Sequence, residues 1–373
     1  MSPEQEGGRV PTGPSRPINK HCGTPQKALV AGALGVTGRA TVNHLVALND
    51  WEVIGLSRRR PDFQTTAHYL ALDLLDREGI ARHRDDFRDV THIFYTALQS
   101  RNNFFDEVAP NLSMLQNLVE VVERSSTSLR KVVLIEGAKW YGAHFGPYKT
   151  PAKEDDPRHM PPNFYYDQED YLQSQSSGKS WSWTALRPSC ISGFAVGNPM
   201  NMATVIAVYA AICRELGLPF RYPGSARAYG MLVEMTDAEL LAKAMVWAGE
   251  DERCDNQAFN ITNGDYIRWE NTWPQLADFL KLPYAPPQRF PLAQFMSDKE
   301  PVWRAMVDKY NLLDYRFADA AAWPFGEAVF NIEYDIMSDM TKARQFGFHE
   351  AIDTEEMLLR LLAQFQEMRC IPS

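Results

Sequence analysis

No two of the five cysteines (Cys22, Cys190, Cys213, Cys254, Cys370) form a C-x-x-C pair, and none of the eight histidines stands in H-x-x-x-H or H-x-H spacing. A disulfide framework, a structural zinc site or a metal enzyme is therefore not expected. The cysteines read as small buried hydrophobes. Positive charge is also short: 38 Lys+Arg against 47 Asp+Glu leave a formal charge of −9. Without a basic stripe, neither nucleic acid nor an anionic membrane is an expected partner. The uncharged apolar run near the middle, Ala203 to Cys213, stops at Arg214 and is too short to span a bilayer. The N-terminus has no apolar signal core, so a cytoplasmic protein is expected.

What is present is the composition of a folded chain, 45% hydrophobic over 373 residues. That is enough for one large or two moderate domains of roughly 100–200 residues each. Residues 1–26, with five prolines and four glycines, read as a disordered leader. Short apolar runs then recur at Lys27 to Ala31, Trp51 to Leu56, Thr91 to Tyr95, Lys131 to Glu136, Trp183 to Leu186 and Ala258 to Ile261. Helical patterns separate several of them, around Val42 to Leu48 and Leu112 to Val122. Strands alternating with helices predict an α/β, Rossmann-type, doubly wound parallel sheet. After about Gly193 the alternation fades into methionine- and aromatic-rich helical segments. The division expected is a dinucleotide-binding domain over 27–194 plus about 231–263. A smaller, mostly helical substrate lobe is expected from 195–230 and 264–373, over the carboxyl edge of the sheet, where such folds bind ligands.

The first chemical signal is Gly32-Ala-Leu-Gly35-Val36-Thr37-Gly38, directly after a strand and before a helix. Such glycines allow a tight turn, bare backbone beside a pyrophosphate and a helix set close to the strand. The second closes the next strand: Ser57-Arg58-Arg59 stands where an NAD site usually carries an acid for the ribose 2′-hydroxyl. Arginine forks suit a 2′-phosphate, so NADPH/NADP+ is the expected cofactor. Asp73 and Leu74 are expected to flank the adenine.

Catalysis of the short-chain dehydrogenase kind pairs a tyrosine with a lysine four residues on, on one helical face. None of the 15 tyrosines has Lys at that spacing; Tyr165 is followed there by Glu169 and Tyr166 by Asp170. The alternative source of an ammonium is Lys139, just past a strand end in Glu136-Gly137-Ala138-Lys139.

Asn163-Phe164-Tyr165-Tyr166-Asp167-Gln168-Glu169-Asp170, Thr91 to Tyr95, Gly137-Ala138-Lys139, Val208 to Cys213, Phe259 to Asp265 and the stretch from Met337 to Pro372 resemble one family. It is that of the progesterone 5β-reductases and iridoid synthases, atypical short-chain dehydrogenases with a displaced lysine. The resemblance runs from about Lys27 to the end. It implies NADPH-dependent reduction of the C=C bond of an enone or enal, with Lys139 and Tyr165 catalytic and Tyr166 the runner-up. Thr96, Ala97, Pro188 and Ile191 are then expected beside the cofactor. Leu98, Trp140, Phe145, Met202, Val205 and Phe330 are expected to wall a pocket for a small apolar carbonyl compound. A homodimer is also implied. The chain departs from the family's pattern in three places. Leu98 replaces an aromatic, the loop Trp140 to Pro147 is longer, and Ser189-Cys190 stands for the more usual Gly-Asn. Two other readings keep the fold: reduction of a ketone, aldehyde or imine (or a cyclisation), and a non-catalytic NADPH-binding regulator.

Replacing Arg58 and Arg59 together by alanine is expected to weaken NADPH binding far more than NADH binding. Titration of both nucleotides by intrinsic fluorescence checks it, and equal losses would remove the 2′-phosphate assignment.

Overall fold

Apolar runs bounded by glycine and polar turns become strands buried on both faces. In the computed structural model, which describes residues 26–61, 63–101, 103–195, 197–198 and 200–373, the six apolar runs and a seventh, more exposed edge strand form one parallel sheet. They are β1 (Gln26–Ala31), β2 (Trp51–Ser57), β3 (His68–Ala71), β4 (His92–Tyr95), β5 (Lys131–Ile135), β6 (Ser182–Arg187) and β7 (Gln257–Asn260). The leader expected at residues 1–26 lies, Gln26 apart, outside the described residues. The order across the sheet is β7-β6-β5-β4-β1-β2-β3. Val30 pairs with Gly55 on one side and with Phe94 on the other, so the chain reverses its winding between β1 and β4. The crevice at that switch point is where a doubly wound sheet takes its ligand.

Residues alternate faithfully between the two faces. Leu29, Ile93 and Val132 meet Ile80 of α2 (Arg77–Arg82) and Leu115, Leu118 and Val122 of α3 (Phe104–Ser125), whereas Ala28, Val30, Phe94 and Val133 meet Val42 and Leu45 of α1 (Val36–Leu48) and Leu241 and Met245 of the helix Ala238–Glu250. A third core stands beyond the carboxyl edge, around the helix Met202–Glu215, buried from Met202 to Cys213, and the indoles of Trp269, Trp273 and Trp303. The helix expected at Leu112 to Val122 begins earlier, at Phe104, because the Asn103 side chain accepts from Asp106 N and caps it.

Segments far apart in the chain are laced together at that edge. Ala152 N donates to Met337 O at 2.8 Å and Asp339 N to Ala152 O at 2.8 Å. The Tyr334 hydroxyl donates to Ala143 O at 2.7 Å, and buried Glu234 accepts from both the amide and the hydroxyl of Ser338 at 2.7 Å.

The glycine turn after β1 tolerates no side chain at its third glycine. A Cβ on Gly38 would stand 2.2 Å from the carbonyl oxygen of Gly32. Gly38→Ala is expected to destabilise the fold by about 1–3 kcal/mol, the usual cost of overpacking. A lowered denaturation midpoint at unchanged m-value is the check.

Candidate active site

Gly32 takes a left-handed backbone (φ +78°), and a Cβ there would press to 2.9 Å on Ala97 N and on Thr96 Oγ1. Thr96 is fixed in turn by donating to Ala31 O at 2.7 Å. Helix α1 then starts at Val36 behind Gly35, which offers no side-chain cap, and its first turn carries no acid. Its opening N–H groups and the positive end of its dipole are therefore left for an anion. The sides of the cradle are basic. Arg58 and Arg59 are exposed, Ser57 half-buried, and the Arg59 guanidinium lies 3.0 Å from where a Cβ of Gly197 would be. Arg39, one position after the glycine triplet, stacks 4.0 Å over Phe63 and 5.1 Å from Phe194. Two arginines from different elements thus approach the one loop that carries Phe194 and Gly197; Arg58 and Arg59 were expected at a 2′-phosphate from the sequence, whereas Arg39 was not. Asp73 is exposed and accepts from Leu75 N, whereas the Leu74 side chain is buried in the core under the sheet. Only the backbone of Leu74 remains for a nucleotide.

The reacting side is built on the end of β5. After Glu136 and Gly137 the chain makes a single 3₁₀ turn, Ala138–Tyr141, and Ala138 N donates to Pro188 O at 3.1 Å. Helix α4 (Phe164–Ser176) faces it, capped by Asn163. The buried Asn163 amide joins the two: its Nδ2 donates to Lys139 O at 2.9 Å, and its Oδ1 accepts from Tyr165 N at 3.1 Å. The Tyr165 hydroxyl lies 3.3 Å from where a Cβ on Gly137 would be, so the missing side chain makes room for the phenol. Among the described residues this hydroxyl has no hydrogen-bond partner. Burial, and then the negative charges of Glu136 and Glu107, hold its pKa above the ordinary tyrosine value. It is a protonated donor at neutral pH.

Tyr166 differs in every respect. Its hydroxyl donates to Trp140 O at 2.6 Å and accepts from His159 N at 2.9 Å. Both capacities are used, and its job is to hold the Lys139 turn. Lys139 itself is exposed, with its ammonium 5.5 Å from the Phe104 ring and not hydrogen-bonded to Tyr165 among the described residues. Beside it, His144 packs 4.8 Å from Phe104 and 3.8 Å from Phe145. Burial, and then the Lys139 and His159 charges, lower its pKa to about 4, so the ring is neutral.

The expected pocket residues divide. Leu98 and Phe145 are 45% and 51% exposed, large apolar groups left facing solvent. Met202, Val205 and Phe330 are wholly buried: Val205 packs on Gly326, and Phe330 on Trp269 and Trp273. What the structure shows for these three is core packing, because each side chain lies in the hydrophobic cluster around Trp269, Trp273 and Trp303. Trp140 is likewise buried, its ring 3.6 Å from the Arg187 guanidinium carbon. In the departing stretch, Ile191 is half-buried and Cys190 takes a left-handed φ of 43°, a conformation that asparagine or glycine adopts more readily. Burial pushes its thiol up to about 12.

Residues 73–372 match a family model described as a PRISE-like Rossmann-fold domain. The chain belongs to the PRISE family. The first glycine loop lies before the matched span, so the assignment does not rest on it. Among PRISE relatives by sequence, the chain is 30% identical to the 3-oxo-Delta(4,5)-steroid 5-beta-reductase of Arabidopsis thaliana, over 92% of this chain and 93% of that one. It is 31% identical to the (S)-8-oxocitronellyl enol synthase ISY2 of Nepeta racemosa, covering 93% and 91%. By structure it resembles the UDP-glucose 4-epimerase of Thermotoga maritima, with a TM-score of 0.66 at 17% identity over 92% and 99%. The expected class, an oxidoreductase on a Rossmann-type fold, stands.

The Asn163 bridge was missed because its partner lies 24 residues upstream; the signal in the sequence was an asparagine one position before a helical aromatic run. Asn163→Ala removes a cap and the tie to Lys139. It is expected to lower stability by about 0.5–2 kcal/mol, read from the denaturant midpoint.

Proposed function

We propose that this PRISE protein reduces the C=C bond of an α,β-unsaturated carbonyl compound at the expense of NADPH. The observation that carries the reading is the free Tyr165 hydroxyl at the carboxyl end of β5, beside a neighbouring tyrosine whose hydroxyl is fully engaged. The cradle fits the cofactor: the side-chain-free turn at Gly32, the uncapped start of α1 and the arginines at Arg39, Arg58 and Arg59 suit a dinucleotide with an extra phosphate. Gly35, Val36, Thr37 and Gly38 would hold the pyrophosphate by backbone, with Thr96, Ala97, Pro188 and Ile191 nearer the nicotinamide. When bound, NADPH supplies a hydride.

The chain's own part is electrostatic. Hydride addition at the β-carbon leaves charge on the carbonyl oxygen, and the Tyr165 hydroxyl would donate to that oxygen as it turns into an enolate. A phenol held above its ordinary pKa, with no ammonium bonded to it, is better suited to hydrogen-bonding an oxyanion than to giving its proton away. This favours 1,4-reduction over reduction of the carbonyl itself, which needs complete transfer. The names of the relatives support the chemistry: one acts on a 3-oxo-Delta(4,5)-steroid, another makes 8-oxocitronellyl enol. Lys139 adds a positive charge on the same turn. The substrate would lie between the nucleotide domain and the lobe of residues 195–230 and 264–373, entering past Leu98 and Phe145.

Tyr165→Phe is expected to lower kcat on an enone by about 10²–10³ while NADPH affinity is kept; Tyr166→Phe is expected to act on stability instead. Product analysis by mass and NMR decides the reaction. Saturation of the C=C bond supports the proposal; an allylic alcohol, or an unimpaired Tyr165→Phe enzyme, would overturn it.

A further inference from the structure

Beneath the site lies a buried charged cluster that the reaction above does not use. Arg187, at the end of β6, is 2% exposed. Its Nε donates to Glu136 Oε2 at 2.7 Å, and its Nη2 to Glu169 Oε2 at 2.8 Å. The third nitrogen serves Tyr141 Oη at 3.3 Å and Glu154 O at 3.1 Å. Glu169 is satisfied on its other oxygen by Arg158 at 3.1 Å and Gln173 at 3.2 Å. Glu136 is not. Its side chain is fully buried, and among the described residues Oε1 has no donor. Glu136 and Glu169 share one guanidinium, on its Nε and its Nη2, which sets their carboxyl groups side by side.

Two carboxyl groups side by side on one guanidinium and away from water repel each other when both are ionised, and a proton on one of them removes that cost. The orphaned oxygen and its acidic neighbour account for each other once a proton lies between them. Glu136 also stands directly before Gly137, the residue whose bare Cα makes room for the Tyr165 hydroxyl. We propose that Glu136 holds a proton against Glu169 and so acts as a positioning residue for Tyr165, keeping the β5 end rigid and free of negative charge beneath the phenol. The proposal rests on the reading of Tyr165 given above.

The charged and titratable groups around Glu136 are consistent with this. From β6 comes Arg187, from α4 Glu169 and Tyr165, from the 3₁₀ turn Tyr141, and from the segment before α4 Glu154 and Arg158. Lys342 reaches this set through Glu154. Burial is the largest influence on Glu136 and Arg187 opposes it; with the Glu169 charge added, its pKa is pushed up to about 8. The native state therefore binds a proton that the unfolded chain, with a carboxyl near 4.5, has released. Stability from this source is fully present below the unfolded value and is lost as pH rises through the folded one. Once Glu136 ionises, its charge also bears on Tyr165.

The test is Glu136→Gln, whose oxygen can accept from Arg187 while its nitrogen donates to Glu169. Two readouts are taken on the full chain. In denaturant titrations from pH 5 to 9, the wild-type midpoint is expected to fall with a slope one proton steeper than that of E136Q. In pH–rate profiles with NADPH and an enone, the wild type is expected to lose kcat above about pH 8, and E136Q to lack that limb. An identical stability slope in the two proteins, or an alkaline limb unmoved in E136Q, would overturn the proposal. A slope that disappears in E136Q while neither protein reduces any enone would retire the reductase reading and leave the shared proton standing. Should E136Q fail to fold, difference infrared spectroscopy of the wild type from about pH 6 to 9 takes its place: a protonated-carboxyl band that fades as pH rises supports the proposal, and the absence of such a band overturns it.

Discussion

A guanidinium out of water must be answered on every side, and at Arg187 the answer organises the site. Two carboxyl groups, a phenol, a backbone carbonyl and the face of Trp140 surround it. These partners come from β5, α4, the 3₁₀ turn that bears Lys139 and the segment before α4, so one buried cation gathers the pieces that no single secondary-structure element could hold. Tyr141 extends the set to β7 by donating to Asn260 Oδ1 at 2.6 Å. Removing one member of such a cluster leaves a buried charge uncompensated, a loss of about 3–5 kcal/mol. Geometry here is bought with desolvation, and the result is a phenol and an ammonium carried on rigid neighbours.

The scaffold and the chemistry have separate origins. At 17% identity the sheet and its helices still superpose on a sugar-nucleotide epimerase, because parallel strands wound in one hand leave few alternatives. What the proposed chemistry uses sits at a few positions on the rim of the site: Gly137, Lys139, Asn163 and Tyr165. A fold fixes where a ligand can lie, and the residues at the rim decide what happens to it.

Much of this was legible in the amino-acid order. Buried strands carry their own pattern, and glycine between a strand and a helix has few other uses, so the sheet and the first turn could be read directly. Boundaries suffered where an internal proline masked a helix, as at Pro110 in α3. The resemblance put Tyr165 ahead of Tyr166, but adjacent residues share composition and helical context, and the physical difference between them lies in the partners of their hydroxyls. Met202, Val205 and Phe330 were expected beside a ligand for the sound reason that they are apolar and near the edge, yet apolar residues serve cores more often. Asn163 and Arg39 stayed invisible because each acts on a part of the chain that the sequence does not place nearby. Arg187 was in view, but as a neighbour of Pro188 and not as the hub it is.

The lacing of residues 334–339 onto Ala143 and Ala152 has a consequence for how the molecule comes into being. A chain leaving the ribosome presents six of the seven sheet strands, β1 to β6, by residue 187. The turn that bears Lys139 is made along with them, but the strap that holds the segment after it lies 191 residues beyond Ala143, as the Tyr334 and Ala143 pair shows. Nascent protein therefore carries both the glycine turn and the Lys139 turn well before the strap exists to brace them.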